Sequence, residues 1–192
     1  NRYRGNCSPK LIEDLIEASK ASTGNLAVHL EKLEAGVSVV QIVGEFEDKL
    51  NAADLTLLIQ KPETPVYVMA DSRHFWRVID NLMNNICKYA QPGTRVYVDL
   101  RENGGQVELI FRNTSRYPLN ISSEELMERF VRGDESRNTE GSGLGISIAK
   151  SLMELMGGSF MLYVDGDLFK VVLGFAQIAE EKEPLNEDES GK

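Results

Sequence analysis

The chain has 192 residues, 42% of them apolar, enough to bury one good-sized core with a short appendage. Thirty acidic against 21 basic residues give a formal charge of −9, which excludes broad nucleic-acid binding but not a phosphate ligand held by local geometry. Two cysteines, Cys7 and Cys87, make no disulfide framework and point to a reducing cytosol, and with no apolar run near the roughly 18–20 residues of a membrane span and no signal peptide, a soluble fragment is expected.

From Ser8, SPKLIEDLIEASKAS places Leu11, Ile12, Leu15 and Ile16 on one helical stripe. The stripe begins abruptly, as the tail of a longer helix would. Leu26, Val28 and Leu30 alternate and predict a strand over residues 25–33. Val39, Ile42, Val43, Phe46 and Leu50 have helical spacing; short strand-like runs follow over 55–59 and 66–69. Asp71 and Ser72 can cap a helix that runs to about Tyr89. Two alternating strands come next, through Val96, Val98 and Leu100 and through Val107, Leu109 and Phe111, joined by Asn103-Gly104-Gly105.

Ser122-x-x-Glu125 is a capping box before a brief helix ending near Phe130. A polar loop over 132–143 precedes a helix over 144–156, and a final hairpin, 160–164 and 168–175, turns at Asp165-Gly166. The acidic, apolar-poor residues 179–192 have the composition of a disordered tail. This order predicts an α+β fold, a two-layer sandwich whose mixed, mostly antiparallel sheet carries helices on one face. Residues 1–24 form an appended helix and linker, 25–178 the main domain and 179–192 the tail.

Three clusters carry chemistry. In DNLMNNICKYA, Asn81, Asn85 and Lys88 fall at i, i+4 and i+7 on one helix face, while Leu82, Met83 and Ile86 point elsewhere. Carboxamide oxygens suit Mg²⁺ that keeps several waters and meets phosphates, a lysine one turn on adds compact positive charge, and Tyr89 can stack on a base. The bland alternative is ordinary surface and capping hydrogen bonds. GSGLG, from Gly141 through Gly143 and Leu144 to Gly145, opens a helix, where backbone N–H groups can approach a phosphate; it matches neither standard phosphate-binding glycine fingerprint and can equally be a flexible connector. In MERFVRGDESRNTE, Phe130 reads as a buried anchor, and Arg132 and Arg137 sit in a loop too polar to pack.

Taken together, N-L-x-x-N-x-x-K-Y, two strands, E-R-F-x-R-x-D-x-S-R and G-x-G-L-G-I-S-I-A-K, in that order within about eighty residues, resemble the catalytic domain of sensor histidine kinases. That fold belongs to the wider group of gyrase, mismatch-repair and heat-shock chaperone ATPases. The resemblance implies an ATP-binding protein-histidine kinase domain. Asn85 would be the principal Mg²⁺ ligand with Asn81 in support, Lys88 would contact phosphate, and Tyr89 would lie against the nucleotide. Arg132 would reach the terminal phosphate from the base of a lid, and Gly141, Gly143 and Gly145 would hold the phosphates. Asn84 matches a common asparagine of the family. LIEDLIEASKASTGN resembles the end of a dimerisation helix and its linker. The resemblance further implies an upstream phosphoacceptor domain, a response regulator, and a dimeric parent anchored in the bacterial cell membrane with this part, a monomer by itself, in the cytoplasm.

Two departures stand out. Where the family holds an aspartate followed by glycines, FRNTSRYPLN puts Asn113 in the aspartate's place and Ser115 in a glycine's. Neither His29 nor His74 sits in an acceptor-like context, so both read as structural and the acceptor histidine is expected elsewhere. Two other readings compete. One is a regulatory module of the same fold without nucleotide binding, to which the missing aspartate points; the other is a serine kinase anti-sigma factor, which leaves the helical start unexplained.

Overall fold

The computed structural model describes residues 16, 19–20, 23–24, 26–132 and 144–178, without the side chains of 128–132. The tail, most of the first amphipathic stretch, and Gly141 and Gly143 lie outside the described residues. In chain order the elements are β1 (Glu31–Glu34), α1 (Ala35–Gly44), α2 (Glu47–Ala52), β2 (Leu55–Gln60), β3 (Tyr67–Ala70), α3 (Ser72–Tyr89), β4 (Thr94–Asn103), β5 (Gln106–Thr114), α4 (Ser123–Arg132), α5 (Gly145–Leu155), β6 (Ser159–Asp165) and β7 (Leu168–Ile178).

Local chemistry accounts for most boundaries. Asp71 caps α3 by accepting from the backbone N–H groups of Arg73 and His74, and Ser122 Oγ accepts from Glu125 N at the head of α4. The β4–β5 turn uses Gly104 and Gly105, both at positive φ, as a two-residue hairpin of the right twist requires. α5 ends in a Schellman pair, with Gly157 at φ +77°, its N–H on Glu154 O and the Gly158 N–H on Met153 O.

Three expectations are corrected. The strand over 25–33 shrinks to Glu31–Glu34, paired with β3. Leu26 and Val28 still pack on the core, but the backbone of Ala27 and His29 is bonded to the side chains of His74 and Asp71 instead of to a ladder. The helix through Val39 and Leu50 is two helices, because Glu45 and Phe46 close a tighter turn onto Ile42 O and Val43 O. Both halves face one core, so the apolar spacing runs through the break. The last hairpin turns at Gly166-Asp167, one residue later than expected, since Asp165 still pairs with Leu168.

The seven-stranded sheet runs β1-β3-β7-β5-β4-β2, with β6 also on β7. Only β2–β4 is parallel. Alternation sends Val96, Val98 and Leu100 of β4, Val107, Leu109 and Phe111 of β5, and Phe169, Val171, Leu173 and Phe175 of β7 into one core. There they meet Phe75, Ile79, Leu82, Met83 and Ile86 of α3 and Ile146, Ile148, Leu152 and Met153 of α5. Each fully buried side chain of this size contributes roughly 1.5–3 kcal/mol. Asn113 continues the inward series at the end of β5, and that position matters below.

Candidate active site

α3 is amphipathic by its own spacing: Phe75, Val78, Ile79, Leu82, Met83 and Ile86 are buried, which turns the asparagine edge toward α5. Asn81 lies against the first residue of α5. A Cβ placed on Gly145 would stand 3.4 Å from Asn81 Oδ1, so glycine allows this close approach. No side chain caps α5; the residue before it, Leu144, has helical φ/ψ, and its carbonyl is taken by Ile148 N and Ser147 Oγ. The positive end of the α5 dipole therefore faces the α3 asparagines, and among the described residues no protein anion takes the capping position.

The far end of α3 is laced to β5. Gln91 N donates to Thr114 O and Arg116 N to Tyr89 O, each at 2.8 Å, and Ala90 bridges Ser115. Ser115 N in turn donates to Asp167 O at 2.7 Å, which fixes the β6–β7 turn to the same corner. These bonds bring Tyr89 and Asn113 to one end of the sandwich. Asn113 is only 4% exposed. Its Nδ2 donates to Thr114 O at 3.2 Å, as a strand-ending asparagine would, yet its Oδ1 is buried with no partner among the described residues. Asn81 Nδ2 is likewise buried and unpartnered. Leaving such an atom unmade costs about 1–3 kcal/mol, so these two orphans mark where a polar ligand would be repaid with hydrogen bonds. Two more orphans, Asp99 Oδ1 and Arg112 Nε, belong to a carboxylate and a guanidinium that already pair through their other atoms on β4 and β5.

The structure separates the neighbouring asparagines. Asn84 is used up: its Nδ2 donates to Asp80 O and Oδ1 at 2.8 and 3.0 Å, and its Oδ1 accepts from Lys49 Nζ at 3.0 Å. Asn85 is half-buried on the Asn81 side, four residues on. The Lys88 ammonium sits 5.1 Å from the Tyr89 ring centroid. Phe130 and Arg132 lie in the last turn of α4 by backbone, with side chains outside the description, and residues 133–143 lie outside the described residues too. Burial raises the Cys87 thiol above its ordinary range, which keeps it protonated and unsuited to nucleophilic or metal chemistry. Among the described residues no group of three or more His, Cys, Asp or Glu is placed to hold a metal ion. A divalent cation here would rely on carboxamide oxygen and on phosphate, the donor set that Mg²⁺ accepts. No helix among the described residues is long and apolar enough to cross a membrane.

Residues 70–184, which include α3, the orphaned asparagines and α5, match the family described as histidine kinase-, DNA gyrase B- and HSP90-like ATPase. The chain belongs to that ATPase family. Its relatives place it on the histidine-kinase branch. It is 27% identical over 168 residues to a probable sensor protein, PcoS, of Escherichia coli, covering 85% of this chain and 35% of the relative. It is 28% identical over 160 residues to the sensor histidine kinase HprS of Escherichia coli strain K12, covering 78% and 32%. The chain thus spans about a third of the length of these relatives. The crystal structure of full-length ShkA in complex with AMPPNP shares the fold at TM-score 0.73 and 16% identity, over 89% of this chain and 36% of that one. The ATPase domain is therefore an α+β sandwich of the histidine-kinase type, as its motif order implies.

Sequence reasoning did not find the partners that take Asn84 out of the site. Asp80, buried and paired with Arg77 at 3.5 Å, is one turn back and carries an i, i+4 signal; Lys49 is 35 residues away and carries none.

Proposed function

We propose that this ATPase domain is the catalytic part of a two-component sensor histidine kinase, binding Mg-ATP and transferring its γ-phosphoryl group to a histidine on another segment. The observation that carries the reading is the pair of buried, unpartnered amides, Asn81 Nδ2 beside the uncapped head of α5 and Asn113 Oδ1 at the end of β5. In the assigned roles, Asn85 supplies the metal-binding oxygen, Asn81 supports the same site and Lys88 binds phosphate. Tyr89 and Asn113 face the base. The glycine loop, Gly141, Gly143, Leu144 and Gly145, wraps the phosphates at the α5 terminus, with Phe130 anchoring α4 and Arg132 reaching the terminal phosphate. Mg²⁺, when bound, neutralises charge on the phosphate oxygens. The residues' share is positioning and charge compensation, which is most of what phosphoryl transfer requires.

His74 Nε2 lies 2.9 Å from Ala27 O, which supports a structural role for that ring, while at His29 it is the backbone N–H that donates to Asp71. The acceptor is therefore assigned to an upstream dimerisation domain, with a response regulator downstream and a membrane-anchored dimeric parent. Incubating the chain with radioactive ATP should give no self-labelling. Supplying the upstream helical hairpin in cis should give labelling stable to base and labile to acid, as phosphohistidine is. Strong labelling at His29 or His74 in the chain alone would contradict the assignment.

A further inference from the structure

Among the described residues the sheet has three edge strands, and two of them are blunted. β1 is four residues long and reads EKLE, with three charges, and β2 runs into Lys61-Pro62. β6 is different. Ser159–Asp165 reads SFMLYVD, five apolar residues in seven, with its one charge at the end and no proline. Among the described residues it pairs with β7 alone, so its other side is open. Met161 and Tyr163 stand 42% and 46% exposed on the outer face, where the Tyr163 hydroxyl donates to Met161 Sδ at 3.3 Å. Phe160, Leu162 and Val164 lean on the core and stay half-buried. An apolar strand of this length with an unpaired edge is a template for another strand.

The turn fixes which backbone groups are on offer. Gly166-Asp167 is a two-residue loop with Gly166 at φ +56°, so Asp165 and Leu168 form a hydrogen-bonded pair. Residues 159, 161, 163 and 165 therefore bond β7, while Phe160, Leu162 and Val164 turn their N–H and C=O groups to the open edge. The strand complements itself there. Laid antiparallel on a second β6 about a two-fold axis through Leu162, it sets Met161 against the partner's Tyr163, Phe160 against the partner's Val164 and Ser159 against the partner's Asp165. No other antiparallel register of β6 on itself uses the whole strand. Sulfur meets an aromatic ring at two places, a hydroxyl meets a carboxylate at each end, and the edge N–H and C=O groups of all three half-buried residues are bonded. We propose that β6 is the surface through which two copies of this chain join, making one sheet continuous across a closed, two-fold pair. A seven-residue edge buries too little for an obligate dimer. Association is therefore weak, and with a formal charge of −9 on each chain it tightens as salt screens the repulsion. This pairing gives a dimer where the family resemblance implies a monomer, and it does not rest on the kinase reading.

Sedimentation equilibrium of the 192-residue chain, from micromolar to millimolar concentration, should show a monomer–dimer equilibrium that salt strengthens. Amide exchange read by NMR should slow with concentration at Phe160, Leu162 and Val164, while Met161 and Tyr163, bonded to β7, stay slow throughout. Met161→Glu with Tyr163→Glu sets like charges opposite one another at both places and should weaken the dimer at least about tenfold. Met161→Lys with Tyr163→Glu sets opposite charges there and should bring the dimer back, now weakened by salt instead of strengthened. Far-UV circular dichroism and Mg-ATP titration should be the same for all three proteins, since both positions lie on the sheet face opposite α3 and α5, which separates this test from the kinase assignment. A chain that is monomeric at every concentration, or a dimer equally tight with both glutamates, would overturn the proposal. So would growth past two copies, which pairing of β6 with a neighbour's β2 would produce.

Discussion

At the head of α3 the buried Asp71 carboxylate accepts from three backbone N–H groups, those of His29, Arg73 and His74, and the His74 ring is held by Ala27 O. Along the asparagine half of the same helix, Asn81 Nδ2 has no partner among the described residues, and Asn113 Oδ1, on the strand tied to that end, has none either. Both regions are short of water, so both feel the cost of an unmade bond. The difference is what each is built to hold. The head spends its polar groups on the chain itself and fixes the path of the incoming segment. The asparagine end leaves buried amide atoms without a partner among the described residues, where a polar ligand could bond.

The largest effect should come from breaking the satisfied end. Asp71→Ala removes the helix cap and the tie to His29, and should cost about 3 kcal/mol of stability in thermal or urea unfolding. Nucleotide affinity below the melting range should stay close to that of the unmutated chain. The same carboxylate sets an acid limit. Burial alone would raise its pKa, but the N–H groups of His29, His74 and Arg73, with the His74 ring beside it, outweigh it and hold it below the ordinary 3.8. A depressed carboxylate stabilises the fold above its unfolded pKa, and that stability is lost as pH falls through the folded value. Unfolding curves should thus steepen with acid below about pH 4 in the unmutated chain and flatten in Asp71→Asn.

At the other end, Asn85→Ala should leave the fold intact and weaken Mg-ATP at least about tenfold, near 1.4 kcal/mol, with little change for ATP in EDTA. Asn113→Asp sharpens the comparison further. A carboxylate only accepts, which suits an adenine amino group, whereas a carboxamide can flip and serve guanine too. The substitution should tighten ATP by about 1 kcal/mol, near fivefold, and weaken GTP. Fluorescence titration of both nucleotides reads the ratio; an unchanged ratio means that Asn113 does not face the base. The smallest effect belongs to Asn84→Ala, which breaks bonds to Asp80 and Lys49 and should cost about 0.5–1 kcal/mol in stability with unchanged nucleotide binding.

Much of this was legible before any coordinates. α3 announced its start through Asp71, its buried face through Leu82, Met83 and Ile86, and its asparagine edge through i, i+4 spacing, because capping and periodicity are local. The α1–α2 break was hidden, since residues on both sides of Glu45 face one core and keep the spacing. The strand over 25–33 was overextended for a related reason: alternation reports which face a side chain takes, while the bonds of Ala27 and His29 go to residues 47 and 42 positions away. Spacing could not separate Asn84 from Asn85, because the lysine that occupies Asn84 is on α2.

Calorimetric titration of Mg-ATP into the unmutated chain, Asn85→Ala and Asn84→Ala tests the central claim most directly. The account predicts saturable one-to-one binding for the unmutated chain and Asn84→Ala and a marked loss for Asn85→Ala. No binding by the unmutated chain, or equal losses at the two adjacent asparagines, would contradict it.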